Sequence, residues 1–396
     1  MEFALRLNNF KSNVFADMDR AKAQAKLKGR EIIDLSLGSS DLPVSPNILS
    51  AIRESLDDPL THGYLLHNGT KDFREAVASW YIRRYGVDID PESEVIPLIG
   101  SQEGTAHLPL CLLNPGDYVL VLDPGYPSHI GGVHLAGANP YFMTLREENN
   151  FLPVFSEIPH SVLQQCKLMI LSYPHNPTAA IAPFSFFQEA LEFCQKWNIV
   201  LAHDFPYMDM VYQGHKMATS IFQVDRNKDC SIEFFSFSKS YSMGGFRIGF
   251  AIGNSQLIKA LAQVKAAIDF NQYRGILNGG MAALSSPEEK VQEIVNTFEA
   301  RRDALTSELA KYGWKVPIPP STMYLWAKIP RSKSFTGSLD FALQLVESTG
   351  VALSPGIGFG QAGEGYVRFA LVRESSVLVS AAQKITHFLD KSLEIT

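Results

Sequence analysis

Cysteine is scarce and scattered. The 396-residue chain has four, Cys111, Cys166, Cys194 and Cys230. No two stand as Cys-x-x-Cys or at zinc-finger spacing. That argues against a disulfide framework, a redox pair or a structural metal site, and leaves reduced, mostly buried thiols. Long apolar runs are missing as well. Nothing approaches about eighteen uncharged apolar residues, so no membrane span is expected. The opening "MEFALRLNNFKSNVF" lacks the apolar stretch of a secretory signal, and a cytoplasmic protein is expected. Positive charge is not in excess: 35 Lys and Arg face 41 Asp and Glu, a formal net charge of −6. That balance favours neither nucleic acid nor an anionic membrane as a partner. Repeats and low-complexity tracts are absent too. With 46 % hydrophobic and 19 % charged residues, the composition is that of an ordinary globular protein.

What is there is an alternation. The runs "SEVIPLIG", "DYVLVLD", "KLMIL", "IVLAHD" and "CSIEFFSFS" read as strands. Between them lie helical patterns such as "TAHLPLCLL" and "SFFQEALEFCQKWN". The strands are nearly continuous apolar runs, as in strands buried on both faces, which predicts a parallel α/β sheet. In such sheets, ligands bind at the carboxyl ends of the strands. Polar clusters fall at those ends: Gly100–Gln102, Asp123–Tyr126, Ser172–Asn176, Asp204–Tyr207 and Ser236–Lys239. Beyond about residue 285 the texture changes to a long charged helix, then strand, helix and strand, which reads as a smaller α+β domain. The expected division is an arm that joins the small domain (1–45), a large α/β domain (46–284) and the small domain (285–396).

Several residues at these strand ends suggest chemistry, each against a plainer reading. "GFGQAG" (358–363) fits a dinucleotide fingerprint, but a strand pattern follows it where a helix is required, so it reads as a glycine-rich loop. Lys239 in "SFSKSYSMGGFRIGF" is either a surface lysine or an amine placed to lose hydration and act as a nucleophile. Ser236 and Arg247 flank it with donors that suit a phosphate, and Gly244-Gly245 would let the chain turn sharply between lysine and arginine. Asp204, after an apolar run, is either a helix cap or the partner of a buried cation. Tyr207 lies three residues further on. Asn176, before a proline, is an ordinary turn residue or an amide aimed at a ligand. "GSQEG" (100–104) is a plain helix start or an anion site.

In order and spacing, "GSQEG", "DPGYP", "HNPTA", "HDFPY", "SFSKSYSMGGFRIGF" and "GYVRFAL" resemble the motifs of the class I/II aminotransferases, pyridoxal-phosphate enzymes of fold type I. The resemblance covers essentially the whole chain and is nearest to the alanine and LL-diaminopimelate aminotransferase-like branch. It implies a large domain with a mostly parallel, seven-stranded-type sheet between helices, plus a smaller α+β domain. It also implies roles. Lys239 would carry pyridoxal 5'-phosphate as a Schiff base. Asp204 would pair with the pyridine nitrogen, Tyr207 and Asn176 with the phenolic oxygen, and Tyr126 would stack on the ring. Ser101, Gln102, Ser236, Ser238 and Arg247 would surround the phosphate. Arg368 would clamp the substrate carboxylate, which Gly38 would approach by its backbone. Tyr64 would reach the phosphate of the partner subunit in a homodimer. Two positions depart from the family pattern: Ala179 stands where glycine is usual, which puts a glycine-like backbone there in question, and Phe246 replaces a usual tryptophan.

The expected reaction is ping-pong transfer of an amino group from an amino acid of the alanine, aspartate, glutamate or LL-diaminopimelate type to a 2-oxo acid. Two other functions compete: a carbon–sulfur β-lyase on the same fold, and a non-catalytic regulator that binds the cofactor. A regulator would be expected to carry an extra module. Candidates for contact with the donor side chain are Glu103, Tyr324, Tyr273, His67 and Arg274.

Overall fold

The computed structural model describes residues 1–10 and 14–393. Seven strands form its central sheet: β1 (Val95–Leu98), β2 (Tyr118–Asp123), β3 (Asn139–Thr144), β4 (Cys166–Leu171), β5 (Val200–Asp204), β6 (Ser231–Ser236) and β7 (Gly249–Gly253). Their order is β1-β7-β6-β5-β4-β2-β3. Strands β2 to β6 run parallel. Strand β7 is antiparallel to both its neighbours, β6 and β1. The architecture is α/β with a mostly parallel sheet.

The strands read as unbroken apolar runs because both faces of the sheet are covered. Side chains alternate along a strand. In β2, Leu120 and Leu122 enter one hydrophobic cluster while Val119 and Val121 enter another. In β4, Met169 and Leu171 go one way, Leu168 and Ile170 the other. The flanking helices end where their residues dictate. Phe184–Trp197 stops at Asn198, at φ 53°, and Lys71–Tyr85 stops at Gly86, at φ 66°.

A second sheet lies in the C-terminal third: β8 (Tyr324–Lys328), β9 (Ser354–Pro355) and β10 (Tyr366–Ala370), antiparallel in the order β9-β10-β8. Early residues pack with it. Ile33–Asp34 pairs in parallel with Val351–Ala352. Ile33 and Leu35 join the cluster that contains Phe298, Leu325, Phe369 and Leu378. Met18 and Ala25 of helix α1 (Val14–Leu27) pack on Ala342 and Val346 of Ser338–Thr349. Among the described residues, no helix is long and apolar enough to cross a membrane.

Four local features depart from the sequence reading. Strands β3 and β7 are additional to the strands it expects. Lys239 stands not on a loop but in a one-turn helix, Phe237–Ser240, entered through Ser236, whose hydroxyl accepts from the Ser238 N–H at 3.2 Å. The chain reversal near 244–245 does not draw on glycine's freedom. The left-handed conformations fall on Ser242 and Arg247, at φ 56° and 52°, while Gly244 and Gly245 lie outside that region. At position 179 an alanine holds the glycine-like backbone, with φ 60°. Its N–H donates to the His175 carbonyl at 2.8 Å.

Candidate active site

One cleft of about 520 Å³ opens at the carboxyl ends of β5 and β6. Every residue expected to hold the cofactor or the substrate carboxylate, except Tyr64, lines it. Asp204 is the last residue of β5, and Lys239 stands one helical turn beyond β6. The two groups are therefore delivered by adjacent, buried, parallel strands.

Asp204 is 4 % exposed. Its Oδ2 lies 2.9 Å from His129 Nε2, and its Oδ1 has no hydrogen-bond partner. A buried carboxylate oxygen without a donor is costly, so the site is built for a donor supplied by a ligand. A protonated ring nitrogen meets that requirement. The sequence reading does not include His129. Its one signal is its place three residues after Tyr126, on the first turn of a helix, Ser128–Leu135. The two rings meet edge to face at 5.5 Å between centroids.

Lys239 Nζ donates to the Gly38 carbonyl at 2.5 Å and lies 5.8 Å from the centre of the Tyr207 ring. Loss of hydration lowers its pKa from the ordinary 10.5. Arg368 and Arg247 push it down further, against an opposing pull from Tyr324. Tyr207 donates to Tyr324 Oη at 2.9 Å. Burial raises the pKa of Tyr207 well above that of a free phenol. Burial acts to raise Tyr324 too, but Lys239, Arg368 and the hydrogen bond from Tyr207 outweigh it and bring Tyr324 below the ordinary value. Gly38 must be glycine for a steric reason: a Cβ there would lie 1.9 Å from Tyr324 Oη.

Arg368, on β10, is 6 % exposed, and no carboxylate pairs with it among the described residues. Its Nη1 donates to Asn176 Oδ1 at 2.8 Å and its Nη2 to the Ser36 carbonyl at 2.8 Å. Its guanidinium lies 4.1 Å from the Tyr324 ring centre and 4.6 Å from that of Phe359. Its Nε has no acceptor. A buried guanidinium held by neutral groups and two rings is short of one anion, and a carboxylate fits its planar fork. Asn176 spends its oxygen on Arg368, which leaves its amide N–H groups for a ligand.

Ser101 and Gln102 open the helix Ser101–Leu112, where free backbone N–H groups favour an anion. Arg247 folds against them. A Cβ on Gly100 would come within 2.5 Å of Arg247 Nη2, and Gly100 itself sits at φ 78°. Ser236 and Ser238 add hydroxyls to the same cleft. At this end arginine, serine and backbone donors converge, as a phosphate requires.

Other candidates fall elsewhere. Tyr64 is 96 % exposed and lines no part of the cleft. Glu103 lies outside the cleft lining as well. It is bound by Lys265 at 2.7 Å and is not a contact for a donor side chain. Burial pushes its carboxyl up, against the pull of Lys265. Tyr273 is engaged by Ser55 and Thr61, and neither His67 nor Arg274 lines the cleft. Tyr324 does line it, as do Asp19 and Lys22 of α1. "GFGQAG" forms two short turns that lead into β10, with no helix after it. Its Ala362 N–H binds Asp123 Oδ1 at 3.0 Å, so it braces the end of β2.

The family model of the class I and II aminotransferases matches residues 30–385. The LL-diaminopimelate aminotransferases of Halothermothrix orenii and Aquifex aeolicus are each 40 % identical to the chain, over 97 % of it and 98 % of their own length. Among solved structures, a protein described as a probable N-succinyldiaminopimelate aminotransferase from Thermus thermophilus is 42 % identical. It superposes with a TM-score of 0.89 over 94 % of this chain and 99 % of its own. Substrate-bound BacF from Bacillus subtilis is 35 % identical, with a TM-score of 0.93 over 98 % of both chains. Nothing in these matches favours a carbon–sulfur lyase. The family and the fold imply pyridoxal phosphate as cofactor, and the unpaired groups of Asp204 and Arg368 fit such a cofactor and an amino-acid substrate. The chain belongs to the class I and II aminotransferases and is an aminotransferase of fold type I.

Proposed function

We propose that the chain transfers the amino group of LL-diaminopimelate, or of a donor much like it, to 2-oxoglutarate, with pyridoxal phosphate held covalently on Lys239. The observation that carries the reading is the convergence, in one cleft, of an amine with a lowered pKa, a buried carboxylate oxygen without a donor and a buried guanidinium nitrogen without an acceptor. Bound pyridoxal phosphate supplies an electron sink for the donor's α-carbon. The chain's own residues do the rest. Asp204, oriented by His129, keeps the proton on the ring nitrogen. The Asn176 amide would bind the phenolic oxygen, as would the Tyr207 hydroxyl on turning from Tyr324, and Tyr126 would cover the ring. Arg368 holds the donor carboxylate by its fork, which fixes the α-carbon against the Lys239 side of the cleft. Lys239 Nζ, whose pKa burial lowers, takes the α-proton as general base and returns it as general acid.

Two lines support the choice of donor. Three of the relatives, those of Halothermothrix orenii, Aquifex aeolicus and Thermus thermophilus, act by their names on diaminopimelate or its succinyl derivative. The cleft also carries an acid and a base on α1, Asp19 and Lys22, which pair with each other at 2.8 Å, and Lys22 donates as well to Asp34 Oδ2 at 2.9 Å. Lys22 is thus held by two carboxylates, and the acidic surplus complements the ammonium at the end of such a donor's side chain. The organisation that goes with this reading is the arm, large and small units at 1–45, 46–284 and 285–396, in a homodimer that shares Tyr64 between sites.

The test is a donor screen with 2-oxoglutarate as acceptor. Glutamate should form with LL-diaminopimelate as donor, and borohydride treatment should leave the cofactor on the peptide that contains Lys239. Pyruvate and ammonia from a β-substituted donor, with no glutamate, would sink the transfer reading. A label on another lysine would sink the assignment of Lys239.

A further inference from the structure

Two separate pieces of chain meet at the end of the cleft read above as the phosphate site: the turn at Gly100–Gln102 and the Arg247 segment. One further segment is bonded to both pieces and lines no part of the cleft. It is the end of helix Ser255–Ile268 and the residues just after it. Lys265, 3 % exposed, donates to Glu103 Oε1 at 2.7 Å, and Glu103 Oε2 accepts the Ile99 N–H at the entrance to the Ser101 helix. Gln272 Nε2 donates to the Leu98 carbonyl at 3.1 Å and to the Arg247 carbonyl at 3.4 Å, bridging the two pieces. The same segment reaches a third: Asn271 Nδ2 donates to the Leu65 carbonyl at 2.9 Å, next to Tyr64.

Glu103, His107 and Asp269 cluster closely enough to suggest a cation site. The Lys265 ammonium already fills that place, 2.7 Å from Glu103 and 3.6 Å from Asp269. A buried ion pair of this kind adds little stability over a well-packed apolar pair, because desolvation offsets the attraction. Its geometric effect is clearer: it fixes a carboxylate that in turn fixes the backbone entering the helix.

We propose that Lys265, Glu103 and Gln272 are positioning residues for the cofactor phosphate, a brace that sets the Ser101 turn and the Arg247 backbone at the separation at which their donors converge on one phosphate. The proposal rests on the reading of that end of the cleft as a phosphate site. None of the three residues lines the cleft.

The experiment compares the affinity of full-length protein for pyridoxal phosphate and for pyridoxal, which lacks the phosphate, followed by absorbance. The ratio of the two dissociation constants isolates the phosphate contribution. In Lys265→Met and Glu103→Gln the preference for the phosphorylated form should fall about tenfold, the lower end of what outer-shell partners contribute at metal sites. In Gln272→Ala it should fall about fivefold, the equivalent of one hydrogen bond. Residues with a merely structural role would lower the melting temperature and weaken both ligands alike, leaving the ratio unchanged, and that result overturns the brace. If Lys265→Met does not fold, Gln272→Ala, at a half-buried position, carries the test alone. A wild-type protein with no preference for the phosphorylated form would overturn the phosphate site itself, and the brace with it.

Discussion

Lys239 illustrates how a site residue is set against stability. Its amine is pushed toward neutrality by lost hydration and by two arginines, with Tyr324 opposing. In the unfolded chain the amine titrates near the ordinary 10.5. Below the folded value the amine is charged in both states, and the folded state bears the full penalty. As pH rises from the folded value toward 10.5, the unfolded state holds the extra proton, so stability rises with pH across that window. Lys239→Met removes the group. Cofactor-free Lys239→Met should therefore gain stability over cofactor-free wild type at neutral pH, and the gap should narrow as pH approaches 10.5. Urea titrations at a series of pH values check this, and a gap independent of pH would refute it. Lys239 and Asp204 are legible in the sequence because each follows a buried apolar run, where a charge needs a reason. His129 is not, and Tyr324 reads only as a donor contact. Their significance lies in contacts to Asp204 and Tyr207 made 75 and 117 residues away, and nothing local marks them.

At the scale of elements, the apolar parallel strands are legible and two strands of the central sheet are not. Strand β3 contains Pro140, is the sheet's edge and keeps most of its side chains exposed or half-buried, so no apolar run marks it. Strand β7, "GFAIG", begins and ends in glycine, which weakens any strand signal. The glycines of β7 answer to space. At Gly249 a Cβ would lie 2.5 Å from the Phe235 carbonyl oxygen and 2.9 Å from the Ser101 nitrogen, so β7 can approach the Ser101 turn only without a side chain. Gly249→Ala should cost about 1–3 kcal/mol, as overpacking does. It should also weaken cofactor binding, because the displaced atom belongs to the turn proposed to hold the phosphate. Gly245→Ala, where a Cβ meets nothing within 4 Å, is the control and should leave both properties unchanged. Chemical denaturation and cofactor titration of the two variants decide the matter. Equal behaviour would mean that the strand simply shifts to accommodate the methyl group.

At the scale of the whole molecule, a chain of net charge −6 gathers Lys22, Lys239, Arg247 and Arg368 in one cleft against Asp19 and Asp204. That local excess of positive charge suits a phosphate and a carboxylate bound side by side. Alternation of strands and helices is enough to predict both the sheet and the end of it that bears the site, since parallel strands deliver their last residues to one edge. A single sequence does not say whether one chain completes the site. Tyr64, 96 % exposed, has no place in this chain's own cleft, and Asn271 ties its loop to the segment that braces the phosphate end. If Tyr64 serves the partner's site, the two defects in Tyr64→Ala and Lys239→Ala lie on different chains of one site. A mixed dimer then has one intact site, built from the Lys239 of the first variant and the Tyr64 of the second. Random reassortment of the two variants in equal amounts makes half the dimers mixed, so about a quarter of wild-type activity should return from two nearly inactive parents. Activity equal to the mean of the parents after unfolding and refolding together would mean that Tyr64 acts within its own chain or not at all.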